Sequence, residues 1–162
     1  MKKLIITTFL LVAIITISKS QEVIPLDTLN WNMNAKSYVL ENYKGNNAIY
    51  IQQGYATLRG VKFLNGTIEF DVYLTDRQSF PGVAFRAHGN QSESFYLRPH
   101  LSGKPDANQV APTVNGISPW QLYFGPSYSF AYDYNFNGWT HIKIVINNDK
   151  GQVFLDHSKK PH

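Results

Sequence analysis

The chain has 162 residues, no cysteine and a formal net charge of +4 at pH 7. This length suits one domain with a hydrophobic core that needs no disulfide to support it. The absence of cysteine excludes a disulfide-stapled scaffold and a cysteine nucleophile.

The first twenty residues have the pattern of a secretory signal peptide. Lys2 and Lys3 form a positive start, residues 4–17 are an apolar stretch, and residues 18–20 (Ser-Lys-Ser) allow cleavage after residue 20. The apolar stretch is too short to span a bilayer. The sequence therefore predicts an exported bacterial protein, periplasmic or extracellular, with no membrane insertion.

Most of the positive charge belongs to this predicted signal peptide. Without its three lysines, the 15 basic residues fall to 12 against 11 acidic ones, which gives a formal charge of +1. Proteins that bind nucleic acids usually carry a much larger basic excess. We therefore expect no nucleic-acid partner.

Residues 21–162 are predicted to form an all-β chain of short strands separated by turns. Residues 21–36 are predicted to be a short first strand or an irregular lead-in, and residues 54–59 to extend the second ladder. The strands are predicted at 37–43, 48–52, 66–74, 82–88, 94–100, 120–124, 130–134, 139–146 and 152–156, with turns at 44–47, 65–66, 89–92 and 147–151. The chain stops just after a strand, which predicts a single β-sandwich domain over 21–162 that lacks its last strands.

The alternation of apolar and polar residues predicts how two of these strands pair. If Val83 and Phe85 share a core with Phe95 and Leu97, even-numbered residues must pair with even-numbered ones. That register would place Arg86 beside Tyr96, with Arg98 and His100 on the same polar face.

A candidate ligand-binding surface follows from that face and from the predicted strand 120–124. Guanidinium, amide and aromatic groups together suit a sugar, which needs fixed polar partners and rings to stack on. The alternative is a structural ladder of hydrogen bonds and cation–π contacts. The candidate ligand-binding residues are Arg86, Tyr96, Arg98, His100, Trp120, Gln121 and Tyr123.

Two further expectations concern the surroundings of this surface. Residues 101–119 are predicted to be a long loop, either a rim of the binding surface or a proline-stiffened connection between sheets. Arginine would suit an acidic or keto-bearing sugar. Glu69 and Asp71 are expected to hold the arginines in place.

Four segments carry a resemblance to a known superfamily. Residues 65–72 (NGTIEFDV), 80–86 (FPGVAFR), 139–145 (WTHIKIV) and 153–156 (VFLD) resemble concanavalin A-like lectins and glucanases. The closer resemblance is to laminin-G-like and 3-keto-disaccharide-hydrolase-like domains of exported bacterial proteins. It implies a jelly-roll sandwich of two antiparallel sheets, with ligands on the concave sheet or its rim loops. Calcium is bound by some members, although no calcium motif is present here.

The glucanases of this superfamily carry an E-x-D-x-x-E motif, which this chain matches only in part. Glu69 and Asp71 fit it, but Leu74 replaces the second glutamate. A retaining mechanism needs two carboxyl groups about 5 Å apart. The acids are also explained by pairing with Arg or Lys on neighbouring strands. We therefore expect no catalysis; in an enzyme, Glu69, Asp71, Glu93 and His100 would be the acid–base candidates.

The sequence contains no metal-binding motif. His88, His100 and His141 lie on different predicted strands, and Asp149 lacks the spacing of a calcium loop. The expectation is thus an exported, lectin-like, carbohydrate- or glycan-binding module that needs no cofactor. The alternatives are a glycoside or 3-keto-glycoside hydrolase and a protein-interaction module at the cell surface.

Overall fold

The structure is a computed structural model that describes residues 21–162, so the predicted signal peptide lies outside the described residues. The described chain is all-β with antiparallel sheets, as predicted. Short 3-10 helices lie at Pro99–Leu101 and Trp120–Leu122. The strands are β1 Trp31–Tyr43, β2 Asn46–Leu58, β3 Gly66–Leu74, β4 Gly82–His88, β5 Gln91–Leu97, β6 Asn108–Thr113, β7 Ser129–Phe130, β8 Gly138–Asn147 and β9 Lys150–Leu155.

The chain divides after Gly60 into two compact units, and the first contains the hairpin of β1 and β2. The hairpin turn is Lys44-Gly45, with φ of 48° and 91°. Such a two-residue turn with positive φ matches the twist of the strands it joins. Before β1, the Asp27 carboxylate accepts the backbone N–H groups of Leu29 and Asn30 at 2.9 and 2.7 Å, which turns the chain into the strand.

The second unit, Val61–His162, contains two antiparallel sheets. One has the strand order β3-β8-β9 and the other has the order β4-β5-β6-β7. Buried apolar residues from both sheets form one core. The core consists of Leu74, Phe85, Phe95, Leu97, Ala107, Tyr134, Ile142, Ile144, Ile146, Val153 and Leu155.

The core explains why apolar and polar residues alternate along the strands of this unit. Ile142, Ile144 and Ile146 of β8 are buried, so the residues between them face away from the core. Burial of each side chain of this size contributes roughly 1.5–3 kcal/mol. Two antiparallel sheets with a shared core are compatible with a β-sandwich. The jelly-roll connections, the single domain over 21–162 and its missing last strands stay predictions.

The register of β4 and β5 was predicted correctly in one respect and wrongly in another. Even-numbered residues pair with even-numbered ones, as in Ala84 opposite Ser94. Tyr96, however, lies opposite Gly82 and not beside Arg86. The register shifts between Phe85 and His88, where Arg86 has a φ of 52°. This bulge redirects the Arg86 side chain, and alternation alone does not reveal a bulge.

The predicted loop 101–119 is wrong over its middle, because Asn108–Thr113 forms β6. Pro112 obscures this strand in the sequence, since proline is confined to strand positions that donate no ladder bond. The neighbour β7 pairs only with Asn108 and Gln109, so Pro112 lies beyond its reach. The predicted strand 120–124 is also wrong. It is a 3-10 helix, Trp120–Leu122, between Pro119 and Gly125-Pro126.

Candidate functional site

The outer face of the four-stranded sheet positions two of the candidate residues. Phe95 and Leu97 of β5 are buried in the core, so Tyr96 and the following Arg98 lie on the opposite face. Gly82 of β4 lies opposite Tyr96. A Cβ atom on Gly82 would lie 2.2 Å from the Phe95 carbonyl oxygen, so this close approach of the strands requires glycine.

Gln109 connects this face to the segment that follows β6. The Tyr96 hydroxyl donates to Gln109 Oε1 at 2.6 Å, and Gln109 Nε2 donates to the carbonyl oxygens of Trp120 and Tyr123. Gln109 is 2% exposed. All of its amide contacts are therefore made inside the protein, and they hold the 3-10 helix Trp120–Leu122 on the sheet. Burial also raises the pKa of Tyr96, so its hydroxyl stays a donor at neutral pH.

Arg98 lies beneath Trp120 and is only 9% exposed. Its Nη1 donates to Asp106 Oδ2 at 2.7 Å, and its guanidinium carbon lies 5.2 Å from the centroid of the Trp120 ring. The carboxylate neutralises the guanidinium, and the ring covers it. Arg98 Nε and the neighbouring His100 Nδ1 are buried without a hydrogen-bond partner among the described residues. Proteins pair most such atoms, so this pair of nitrogens is a distinctive feature of the surface.

Phe80 completes the surface, although no sequence pattern indicated it. Its ring packs edge-on against Tyr96 and His100, with centroid distances of 6.2 and 5.4 Å. Phe80 and Trp120 keep 55% and 40% of their surface exposed. We call this surface the Trp120 face; it consists of Phe80, Tyr96, Arg98, His100 and Trp120.

The structure thus brings together four of the seven predicted ligand-binding residues: Tyr96, Arg98, His100 and Trp120. Gln121 is exposed on the 3-10 helix beside Trp120. Tyr123 packs edge-on against Tyr128 at 5.1 Å and supplies a carbonyl oxygen to Gln109. These two residues flank the Trp120 face through the segment that follows β6.

Arg86 lies outside the Trp120 face. It donates to the carbonyl oxygens of Leu64 and Asn148 at 2.7 and 2.5 Å, and to Asn65 Oδ1 at 3.0 Å. Its Nη1 also donates to Glu93 Oε1 at 3.0 Å. Arg86 therefore links β5 to two other segments, the residues just before β3 and the turn between β8 and β9. These contacts stabilise the fold.

The acidic residues selected by the sequence are divided between the sheets. On β3, Glu69 pairs with Lys143 at 3.2 Å and Asp71 pairs with His141 Nδ1 at 2.8 Å. Pairing of Glu69 with a lysine on a neighbouring strand was one of the two interpretations. The expectation that these acids hold the arginines is wrong, because Glu93 and Asp106 do so. Of the four acid–base candidates, Glu93 lies on β5 and His100 lies in the Trp120 face, on the other sheet.

No group of three or more His, Cys, Asp or Glu in residues 21–162 is arranged to hold a metal ion. None of the helices in that part of the chain is long and apolar enough to cross a membrane. No protein-family model matches the sequence, and comparison with curated proteins and with solved structures found no match.

Proposed function

We propose that the protein is an exported glycan-binding module whose ligand lies on the Trp120 face. The observation that carries this proposal is the exposure of two aromatic rings, Phe80 and Trp120, beside polar side chains fixed by other protein groups. A sugar presents an apolar C–H face, which stacks on an aromatic ring, and hydroxyl groups, which need polar partners. Export rests on the pattern of residues 1–20.

The charges around the Trp120 face favour a neutral glycan. Arg98 is compensated by Asp106 and covered by Trp120, so its charge is not displayed to a ligand. Arg86 is occupied by Glu93 and by backbone oxygens. Residues 107–132 contain no Asp, Glu, Lys or Arg. An acidic or keto-bearing sugar would therefore find no available guanidinium, whereas a neutral sugar needs none.

A glycan array with neutral and acidic oligosaccharides tests this proposal. We expect neutral glycans to bind, and Trp120→Ala and Phe80→Ala each to weaken binding by roughly tenfold, as for the loss of a good stacking contact. Leu122→Ala is the matched control, because Leu122 is an exposed apolar residue of the same 3-10 helix. Circular dichroism checks that the variants are folded. Failure of the folded protein to bind any glycan, or unchanged binding by both aromatic variants, would refute the proposal.

One observation favours the second candidate, a protein-interaction module. Ile117, Leu122 and Phe124 are 69%, 76% and 70% exposed, and they lie in the same uncharged segment. Exposed apolar patches often mark contacts with other proteins. A partner that binds there would co-purify with Trp120→Ala and be lost from Phe124→Ser. The glycan proposal predicts instead that glycan binding is weakened in Trp120→Ala and kept in Phe124→Ser.

The hydrolase alternative has less support from the contacts. Glu69 and Asp71 are engaged by Lys143 and His141 on one sheet, while the Trp120 face lies on the other sheet. A glycosidase would need its two carboxyl groups on either side of one bound sugar. Measurement of sugar release from any glycan that binds would detect such an activity directly.

A further inference from the structure

A second cluster of polar side chains lies on the outer face of the three-stranded sheet. His141 of β8 lies opposite Asp71 of β3 in the register, and its Nδ1 is 2.8 Å from Asp71 Oδ1. The ring of His157 is stacked on that of His141, with a centroid distance of 4.1 Å and an interplanar angle of 16°. Since Asp71 engages Nδ1, the Nε2 atom of His141 is left for another partner.

The turn that carries His157 is strained. Asp156 and His157 are consecutive non-glycine residues with φ of 47° and 59°, in the left-handed region that such residues rarely adopt. Several contacts hold them there. The His141 backbone N–H donates to Asp156 Oδ1 at 3.1 Å, and the Tyr132 hydroxyl donates to Asp156 Oδ2 at 2.7 Å. Backbone strain that is held by its surroundings is frequent at ligand sites.

The strained turn closes one side of a pocket of about 380 Å³. Its lining residues are Glu69, His141, Lys143, Phe154, His157, Ser158 and Lys159. Two imidazoles and two ammonium groups therefore border a single small cavity. The carboxylate in the lining, Glu69, is paired with Lys143 at 3.2 Å, and the Ser158 hydroxyl donates to the Lys160 carbonyl oxygen. The donors that remain for a ligand are those of the histidines and of Lys159.

We propose that this pocket binds an oxyanion, the group shared by phosphate, sulfate and carboxylate ligands. His157 and Lys159 would donate charge-assisted hydrogen bonds to its oxygen atoms, as would a positively charged His141 through Nε2. The pocket is on the β3-β8-β9 sheet and the Trp120 face is on the β4-β5-β6-β7 sheet, so this inference does not depend on the glycan proposal.

Acid should strengthen the binding. The charged groups that face the two imidazoles are Asp71 and Glu69 from β3, Lys143 from β8, and Asp156 and Lys159 from the segment after β9, with the neutral Tyr132 hydroxyl on Asp156. Histidine in general gains its positive charge as the pH falls from 8 to 5. Positive charge on imidazoles in this lining would attract an oxyanion, because the acids around the pocket already have partners.

NMR titration of the ¹⁵N-labelled protein with sulfate, inorganic phosphate and acetate tests the proposal. Sulfate keeps its charge throughout this range, so the pH comparison uses sulfate at about pH 6 and about pH 8. We expect saturable shifts at the pocket residues and roughly tenfold tighter binding at the lower pH. A preference for sulfate and phosphate would assign a tetrahedral anion, and tighter binding of acetate than of either would assign a carboxylate.

Two variants and one control locate the site. His157→Asn, which tolerates the left-handed backbone, and Lys159→Gln are each expected to weaken sulfate binding by roughly tenfold. Lys150→Gln, an exposed lysine in the β8–β9 hairpin outside the pocket lining, should leave the binding unchanged. The inference is overturned if no anion shifts the pocket signals, or if Lys150→Gln weakens binding as much as the other two. Lys159 is exposed, so its replacement keeps the test valid if His157→Asn fails to fold.

Discussion

The guanidinium carbon of Arg98 lies 5.2 Å from the centroid of the Trp120 ring, while its Nη1 donates to Asp106 at 2.7 Å. The arginine is thus a support for the tryptophan ring. Its planar group lies under the ring, and its charge is already paired with Asp106. For the proposed glycan site, this relationship favours a neutral sugar over the acidic or keto-bearing sugar that an available arginine would suit.

Arg98→Lys keeps the positive charge but loses the planar group beneath Trp120. We expect the free energy of unfolding to fall by roughly 1–2 kcal/mol, because both the cation–π contact and the geometry of the Asp106 bond are weakened. Urea denaturation measures the change. Arg77→Lys is the matched control, since Arg77 is exposed. An Arg98→Lys protein as stable as the Arg77→Lys protein would contradict this role.

Gln109→Ala should release the 3-10 helix Trp120–Leu122 from the sheet. The substitution removes the side-chain partner of the Tyr96 hydroxyl and of the Tyr123 carbonyl oxygen. The Trp120 carbonyl oxygen loses Gln109 and keeps the Tyr123 N–H at 3.1 Å. We expect a loss of roughly 1–3 kcal/mol in unfolding free energy, the usual effect of stranding buried polar groups. Faster amide hydrogen exchange over residues 120–123 would report the local release. Gln121→Ala, at an exposed glutamine, should change neither measurement.

Arg86→Ala should destabilise the protein without affecting the Trp120 face. The substitution removes four hydrogen bonds that join β5 to the lead-in to β3 and to the β8–β9 turn. It also leaves the Glu93 carboxylate unpaired. We expect a loss of roughly 2–4 kcal/mol, measured by urea denaturation, and glycan affinity per folded molecule equal to that of the wild type. Weaker glycan binding by the folded variant would show that Arg86 contributes to ligand binding.

The strands that the sequence predicted well are those with one face in the core. In β3 and β8, apolar and polar residues alternate because burial of one face selects them, as with Ile142 and Ile144. The stretch 120–124 alternates in the same way and is not a strand. There the apolar side chains Leu122 and Phe124 are exposed, so burial does not maintain the pattern. Flanking proline and glycine residues are the better signal at that position.

The candidate site was predictable where it depends on strand alternation and not where it depends on a loop. Tyr96 lies on β5 and Arg98 directly follows that strand, and their two-residue spacing places them on one face. Gln109 was missed because its importance comes from the backbone carbonyl oxygens of Trp120 and Tyr123, which no residue pattern reveals. Arg86 was misplaced because a bulge redirects it. Sequence periodicity specifies faces of strands, whereas bulges and backbone partners arise only in the folded chain.

The pKa of Tyr132 predicts how the free energy of unfolding changes with pH above neutrality. Burial, with a further contribution from the hydrogen bond to Asp156, raises the pKa of Tyr132 from 10.0 to about 12. The folded protein therefore holds this proton more tightly than the unfolded chain does. The resulting stabilisation is complete below about pH 10 and is lost as the pH rises to about 12.

Tyr132→Phe removes this proton, so the free energy of unfolding should fall less steeply between about pH 10 and about pH 12 than in the wild type. Urea denaturation at several pH values across this interval measures the slope. Burial also raises the pKa values of Tyr96 and Tyr134, so part of the slope will remain in the variant. Asp156→Asn removes the charged acceptor and should flatten the slope in the same direction. Equal slopes in the wild type and Tyr132→Phe would show that the Tyr132 proton contributes nothing to alkaline stability.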